Sequence, residues 1–102
     1  MTRNIYRYTF APDVSLADVE CTLLLAFWGT ESLHGETQVR LEAGCLFDKQ
    51  RRACVIDASS PVGQDLNRLF IGFIRRELAA SAFRLDRITE SNPIHQQEEI
   101  HV

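Results

Sequence analysis

Apolar residues along this chain follow a period of two in some segments and a helical period in others, and the order of these segments limits the fold most. Segments with strand periodicity cover residues 4–10, 37–47, 52–58 and 83–88. Segments with helical periodicity cover residues 15–34 and 60–80. The order strand, helix, strand, strand, helix, strand predicts a ferredoxin-like α+β domain, βαββαβ, with an antiparallel sheet and two helices on one face.

Capping residues support both helix assignments. Ser15 precedes Asp18 by three residues, a variant of the capping box, and predicts the start of the first helix. Gly35 follows its last residue, where a left-handed cap is common. Ser60 followed by Pro61 predicts the N-cap and first residue of the second helix.

The second and third strands predict a hairpin. With Lys49 and Gln50 as its loop, three pairs share an apolar face: Cys45–Cys54, Ala43–Ile56 and Leu41–Ala58. Opposed cysteines could form a disulfide, but we expect free buried thiols because no secretory signal is recognised. The spacing of the three cysteines and the histidines does not fit a zinc site, and no cofactor is predicted.

Composition and charge indicate one small domain. The chain has 102 residues, 45% of them hydrophobic, and contains no apolar run long enough to span a membrane. The N-terminus has no apolar core, so we expect a cytoplasmic protein without membrane association. The net charge is −3, and the acidic excess lies after residue 88. These features predict a domain over residues 1–89 and an acidic tail over residues 90–102.

The two faces of the predicted sheet disfavour nucleic-acid binding. The aromatic residues of the strands should face the helices: Tyr6, Tyr8, Phe10 and Phe47. The opposite face carries no aromatic residue for base stacking. We assign to it Ile5, Arg7, Thr9, Arg40, Glu42, Gly44, Leu46, Ala53, Val55, Asp57, Arg84, Asp86 and Ile88. Its small apolar patch, formed by Leu46, Ala53 and Val55, is interpreted as ordinary surface.

One end of the predicted fold gathers candidate catalytic residues. The C-terminus of the first helix and the start of the second should meet there, which brings His34 near Asp57 and Ser60, with Glu31 and Ser59 nearby. Such groups beside a helix N-terminus fit a small enzyme or an anion- or phosphate-binding domain. Each also fits a helix cap or a strand end, and no catalytic motif is present. The sequence therefore favours a protein that is not an enzyme, with catalysis as the alternative.

Two further clusters carry weaker ligand hypotheses. Arg68 and Arg75 align on the second helix and, with Arg51 and Arg52, could bind an anion, although a solvated face is the simpler interpretation. In the tail, the metal-ligating residue types are His95, Glu98, Glu99 and His101. A solvated arm is the preferred interpretation there.

The first helix gives the strongest functional prediction. Its core-facing residues are Leu16, Val19, Leu23, Ala26, Phe27 and Thr30. Cys21, Leu25 and Trp28 lie on the opposite side, with Leu24 between the two faces. A helix that is apolar all round is buried on both sides. We therefore expect a non-catalytic assembly module that self-associates there, as a homodimer or larger oligomer. An unidentified protein partner, or coverage by Ile94, Ile100 and Val102 of the tail, is the alternative.

Overall fold

The computed structural model describes residues 3–90, which form one sheet and three α-helices. The elements are β1 (Arg3–Phe10), α1 (Leu16–His34), α2 (Glu36–Glu42), β2 (Gly44–Asp48), β3 (Ala53–Asp57), α3 (Pro61–Glu77), a 3-10 turn (Ala80–Ala82) and β4 (Phe83–Glu90). Across residues 3–90, no helix combines the length and apolar character needed to cross a lipid bilayer.

The sheet has four antiparallel strands in the order β2-β3-β1-β4. Strand β1 lies at the centre, where Tyr8 pairs with Cys54 of β3 and Leu85 of β4. Strands β1 and β2 therefore run parallel to each other with β3 between them. The α+β class and the antiparallel sheet are as predicted, whereas the helix α2 is an addition.

The predicted helix caps are confirmed. The Ser15 hydroxyl accepts a 3.3 Å hydrogen bond from the Asp18 amide, and Gly35 ends α1 at a φ of 88°. The Ser60 hydroxyl accepts a 3.0 Å bond from the Gly63 amide, and Pro61 is the first residue of α3. These side chains satisfy amide groups that have no partner within the helix.

The predicted strand over residues 37–47 is wrong in its first half. Residues Glu36–Glu42 form α2, and β2 begins only at Gly44. Arg40 and Glu42 consequently lie on a helix rather than on the open face of the sheet. Contacts between residues four apart stabilise the helix at residues 36–42. Arg40 donates a 2.9 Å hydrogen bond to Glu36, and Gln38 donates one to Glu42.

The predicted hairpin register is wrong by two residues. The loop spans four residues, 49–52, so Cys45 lies opposite Ile56 and Phe47 opposite Cys54. The predicted Cys45–Cys54 register pair is therefore absent. The predicted Ala43–Ile56 and Leu41–Ala58 pairs are also absent, because residues 41 and 43 precede β2. An even shift leaves every side chain on its predicted face.

The core lies between the helices and the aromatic face of the sheet, as predicted. Tyr8 and Phe10 are buried, and the Tyr8 ring meets Phe70 edge-on with 4.9 Å between centroids. The Tyr8 hydroxyl donates a 2.5 Å hydrogen bond to the Asn67 side-chain oxygen, so the polar end of this buried ring is satisfied. Helix α3 adds Leu66, Phe70 and Ile74 to this core, and the rest comes from α1 and β3.

Candidate functional site: the apolar surface of helix α1

Two sides of α1 are occupied by the rest of the domain. Val19, Leu23 and Thr30 are buried on the side that faces the core. On the next side, Thr22 donates to the Glu77 carboxylate of α3 at 2.8 Å. Helix α3 therefore lies beside the Thr22 side of α1. It does not cover the outer side of α1 or the side toward β2.

The outer side of α1 exposes large apolar groups. Cys21, Leu24, Leu25 and Trp28 are exposed, and we call these four residues the α1 apolar surface. The exposed fractions are 48% for Leu24, 49% for Leu25 and 55% for Trp28. This places the three predicted interface residues together on one face of a rigid 19-residue helix.

A groove of about 520 Å³ continues this surface toward β2. Its lining is mainly apolar and includes Ala17, Cys21, Leu24, Phe27 and Phe47, and Glu20 is its one charged residue. The Glu20 carboxylate lies 3.7 Å from the Lys49 ammonium, just beyond the end of β2. The groove therefore lies between α1 and the edge strand of the sheet.

The predicted catalytic residues each bond to a different partner. His34 Nε2 lies 2.8 Å from Asp65 Oδ2, which links the end of α1 to α3. The Ser60 hydroxyl caps α3. No hydrogen bond among His34, Asp57 and Ser60 occurs within residues 3–90.

Asp57 ends β3 and is held by its neighbours. Its carboxylate accepts a 3.1 Å hydrogen bond from the Arg3 guanidinium and a 3.0 Å bond from the Ser59 amide. Partial burial acts to raise the pKa of Asp57, but the hydrogen bonds from Ser59 and Arg3 outweigh it and the pKa is lowered. These contacts stabilise the ionised form of Asp57, which fixes the loop leading to α3.

The predicted anion-binding arginines are dispersed and mostly paired. Arg68 lies 3.5 Å from Asp65, and Arg51 lies 3.5 Å from Asp48. Arg52 points inward and donates to main-chain carbonyls, while Arg75 is exposed on α3. The four side chains therefore lie in different local environments.

All three cysteines are free thiols. Cys21 is exposed on α1, Cys45 is half-buried and Cys54 is buried. The hydrogen bond with Cys45, together with burial, raises the pKa of the Cys54 thiol. Within residues 3–90, no cluster of three or more His, Cys, Asp or Glu side chains could hold a metal ion. The tail residues named as metal ligands or as cover for α1 lie outside the described residues.

Two parts of this site are not predicted by the sequence pattern. Helix geometry puts Leu24 between the two faces of α1, whereas Leu24 is about as exposed as Leu25. The strand pattern puts Phe47 in the core but does not indicate the open groove beside it. The signal for Leu24 was available, since from residue 23 to residue 28 the chain has no polar side chain.

Comparison of the chain with models of known protein families, and with curated protein sequences, found no match.

Proposed function

We propose that this protein is a non-catalytic assembly module that self-associates through the α1 apolar surface, with Cys21, Leu25 and Trp28 in the contact. The observation that carries the proposal is a tryptophan 55% exposed beside two half-exposed leucines. Contiguous exposed apolar groups of this kind are typical of interaction sites rather than of free surface.

The energetics favour burial of this surface by a partner. Covering the exposed half of a tryptophan removes on the order of 100 Å² of apolar area, worth about 2.5 kcal/mol. Tryptophan is also enriched among the residues that dominate binding energies at interfaces. A two-fold dimer would use this contribution twice, once for each copy of Trp28.

Catalysis at the other end of the fold has less support. His34, Asp57 and Ser60 each have a structural partner, and none of them activates another of the three. A nucleophile needs a base within hydrogen-bond reach, and Ser60 instead caps a helix.

We also propose that the domain belongs to the ferredoxin-like class. The sheet order β2-β3-β1-β4 supports this assignment, since β1 and β2 are parallel strands separated by β3, as in a split βαβ unit. On this interpretation, α2 is an inserted helix of about two turns between α1 and β2.

Light scattering on the purified chain tests the proposed function. We expect the wild-type protein to have at least the mass of a dimer, and Trp28→Glu to be monomeric. Leu33→Glu is the matched control, because Leu33 is an exposed leucine on another side of α1. A monomeric wild type, or equal effects of the two substitutions, would contradict the proposal.

A further inference from the structure

The two edges of the sheet differ in charge. Strand β4 carries Arg84, Asp86 and Arg87 along its length, and charged residues on an edge oppose pairing with another strand. Strand β2 has no charge from Gly44 to Phe47, and Leu46 is 61% exposed. Among residues 3–90, no strand pairs with the outer edge of β2. The backbone N–H and C=O groups of β2 that point away from β3 are therefore available to another strand.

We infer that two copies of this chain pair antiparallel along β2, about a two-fold axis near Leu46, and form one continuous eight-stranded sheet. The inference rests on the proposed function and specifies its partner and geometry. In this register, Leu46 lies opposite its own copy, and Cys45 lies opposite Phe47.

The one charge within β2 favours an antiparallel arrangement of the two strands. With Leu46 on the axis, Asp48 of one copy lies opposite Gly44 of the other, so the two Asp48 side chains lie at opposite ends of the joined strands. The symmetry creates this contact twice. A parallel pairing in the same register would instead place the two Asp48 side chains side by side, so the pattern favours an antiparallel second copy.

The same axis brings the helices together. Glu20 lies beside Lys49, and Leu24 and Phe47 line one groove, so α1 runs along β2 on the side away from α3. A two-fold axis at β2 therefore places the two α1 helices side by side over the joined strands. Leu24 and Trp28 of each copy then face the other copy, and the groove above Phe47 is covered by the second helix.

Disulfide trapping at Leu46 tests the geometry directly. Directly opposed residues of an antiparallel pair have Cα atoms about 4.5–5.5 Å apart, within the range that a disulfide spans. In a Cys21→Ala background with oxidised glutathione, we expect Leu46→Cys to give mostly cross-linked dimer. Arg84→Cys is the matched control, an exposed position on the other edge strand, and should remain mostly monomeric on a non-reducing gel.

The outcomes separate this inference from the proposed function. A monomeric wild type overturns both. A dimer that Trp28→Glu dissociates, but that shows no more cross-linking at Leu46→Cys than at Arg84→Cys, overturns only the β2 pairing.

Discussion

Leu23 and Leu25 lie two residues apart on α1, on nearly opposite sides of the helix. Leu23 is 8% exposed and packs into the core, whereas Leu25 is 49% exposed. A helix in a two-layer domain needs one apolar stripe to fold, and Leu23 belongs to that stripe. Leu25 belongs to a second stripe that no other part of residues 3–90 covers, and this exposure supports the proposed contact between copies through α1.

Removal of the Tyr8 hydroxyl should destabilise the core. In Tyr8→Phe, the Asn67 side-chain oxygen loses its donor in a buried position, and we expect a loss of about 1–3 kcal/mol in the free energy of unfolding. Urea denaturation measures it. Tyr6→Phe, in a half-buried tyrosine of the same strand, is the control and should change stability by less than about 0.5 kcal/mol. Equal effects would contradict the assigned role of the hydrogen bond.

The same tyrosine predicts a pH dependence. Burial raises the pKa of Tyr8 above its ordinary value of 10.0. A folded-state pKa above the unfolded one gives stability that is complete below about pH 10 and is lost as the pH rises further. Denaturation midpoints measured above pH 10 should therefore fall more steeply for the wild type than for Tyr8→Phe. Parallel curves would contradict burial of the phenol.

Two glycines of α3 should respond in opposite ways to alanine. At Gly63 an added Cβ would lie 2.0 Å from the Asp57 carbonyl oxygen, so Gly63→Ala should cost about 3 kcal/mol or prevent folding. At Gly72 the nearest atom is the flexible end of Arg76 at 3.6 Å, so Gly72→Ala should stabilise α3 by about 0.5–1 kcal/mol. Thermal unfolding of the two variants measures both changes in stability. A Gly63→Ala variant as stable as the wild type would contradict the close approach of β3 and α3.

The side chain of Arg52 should matter more than that of its neighbour. Arg52 donates to the carbonyls of Phe10, Ala11 and Val14, and so ties the hairpin loop to the start of α1. We expect Arg52→Ala to cost about 2 kcal/mol. Arg51 is exposed and pairs only with Asp48 at the surface, so Arg51→Ala should cost less than about 0.5 kcal/mol. Chemical denaturation of both variants measures this difference in stability. Indistinguishable midpoints would contradict the role of Arg52.

The long amphipathic elements could be predicted because their periodicity repeats over many residues. The expected inner stripe of α1, from Leu16 to Thr30, is buried or packed against the core. Helix α2 could not be predicted, since its two apolar residues, Val39 and Leu41, are two apart and match the period of a strand rather than one face of a helix. Only Val39 is buried there, and Leu41 is exposed.

The hairpin register depends on contacts between distant residues. Loops of two and four residues keep the same side chains inward, so the apolar pattern could not choose between them. The longer loop places Arg52 at a φ of 54° and directs its side chain to carbonyls about 40 residues away in sequence. The candidate site could be predicted only in part. The spacing of Cys21, Leu25 and Trp28 follows from helix geometry, whereas the groove beside Phe47 depends on how α1 packs over β2.

Trp28 is the single tryptophan of the chain, so its fluorescence reports on the α1 apolar surface alone. The most direct test of self-association is a dilution series in which molecular mass and Trp28 emission are measured on the same samples. We expect the emission to shift to shorter wavelength as the mass rises from monomer to dimer, because the half-exposed indole becomes buried. A monomeric mass with unchanged emission across the micromolar range would contradict it.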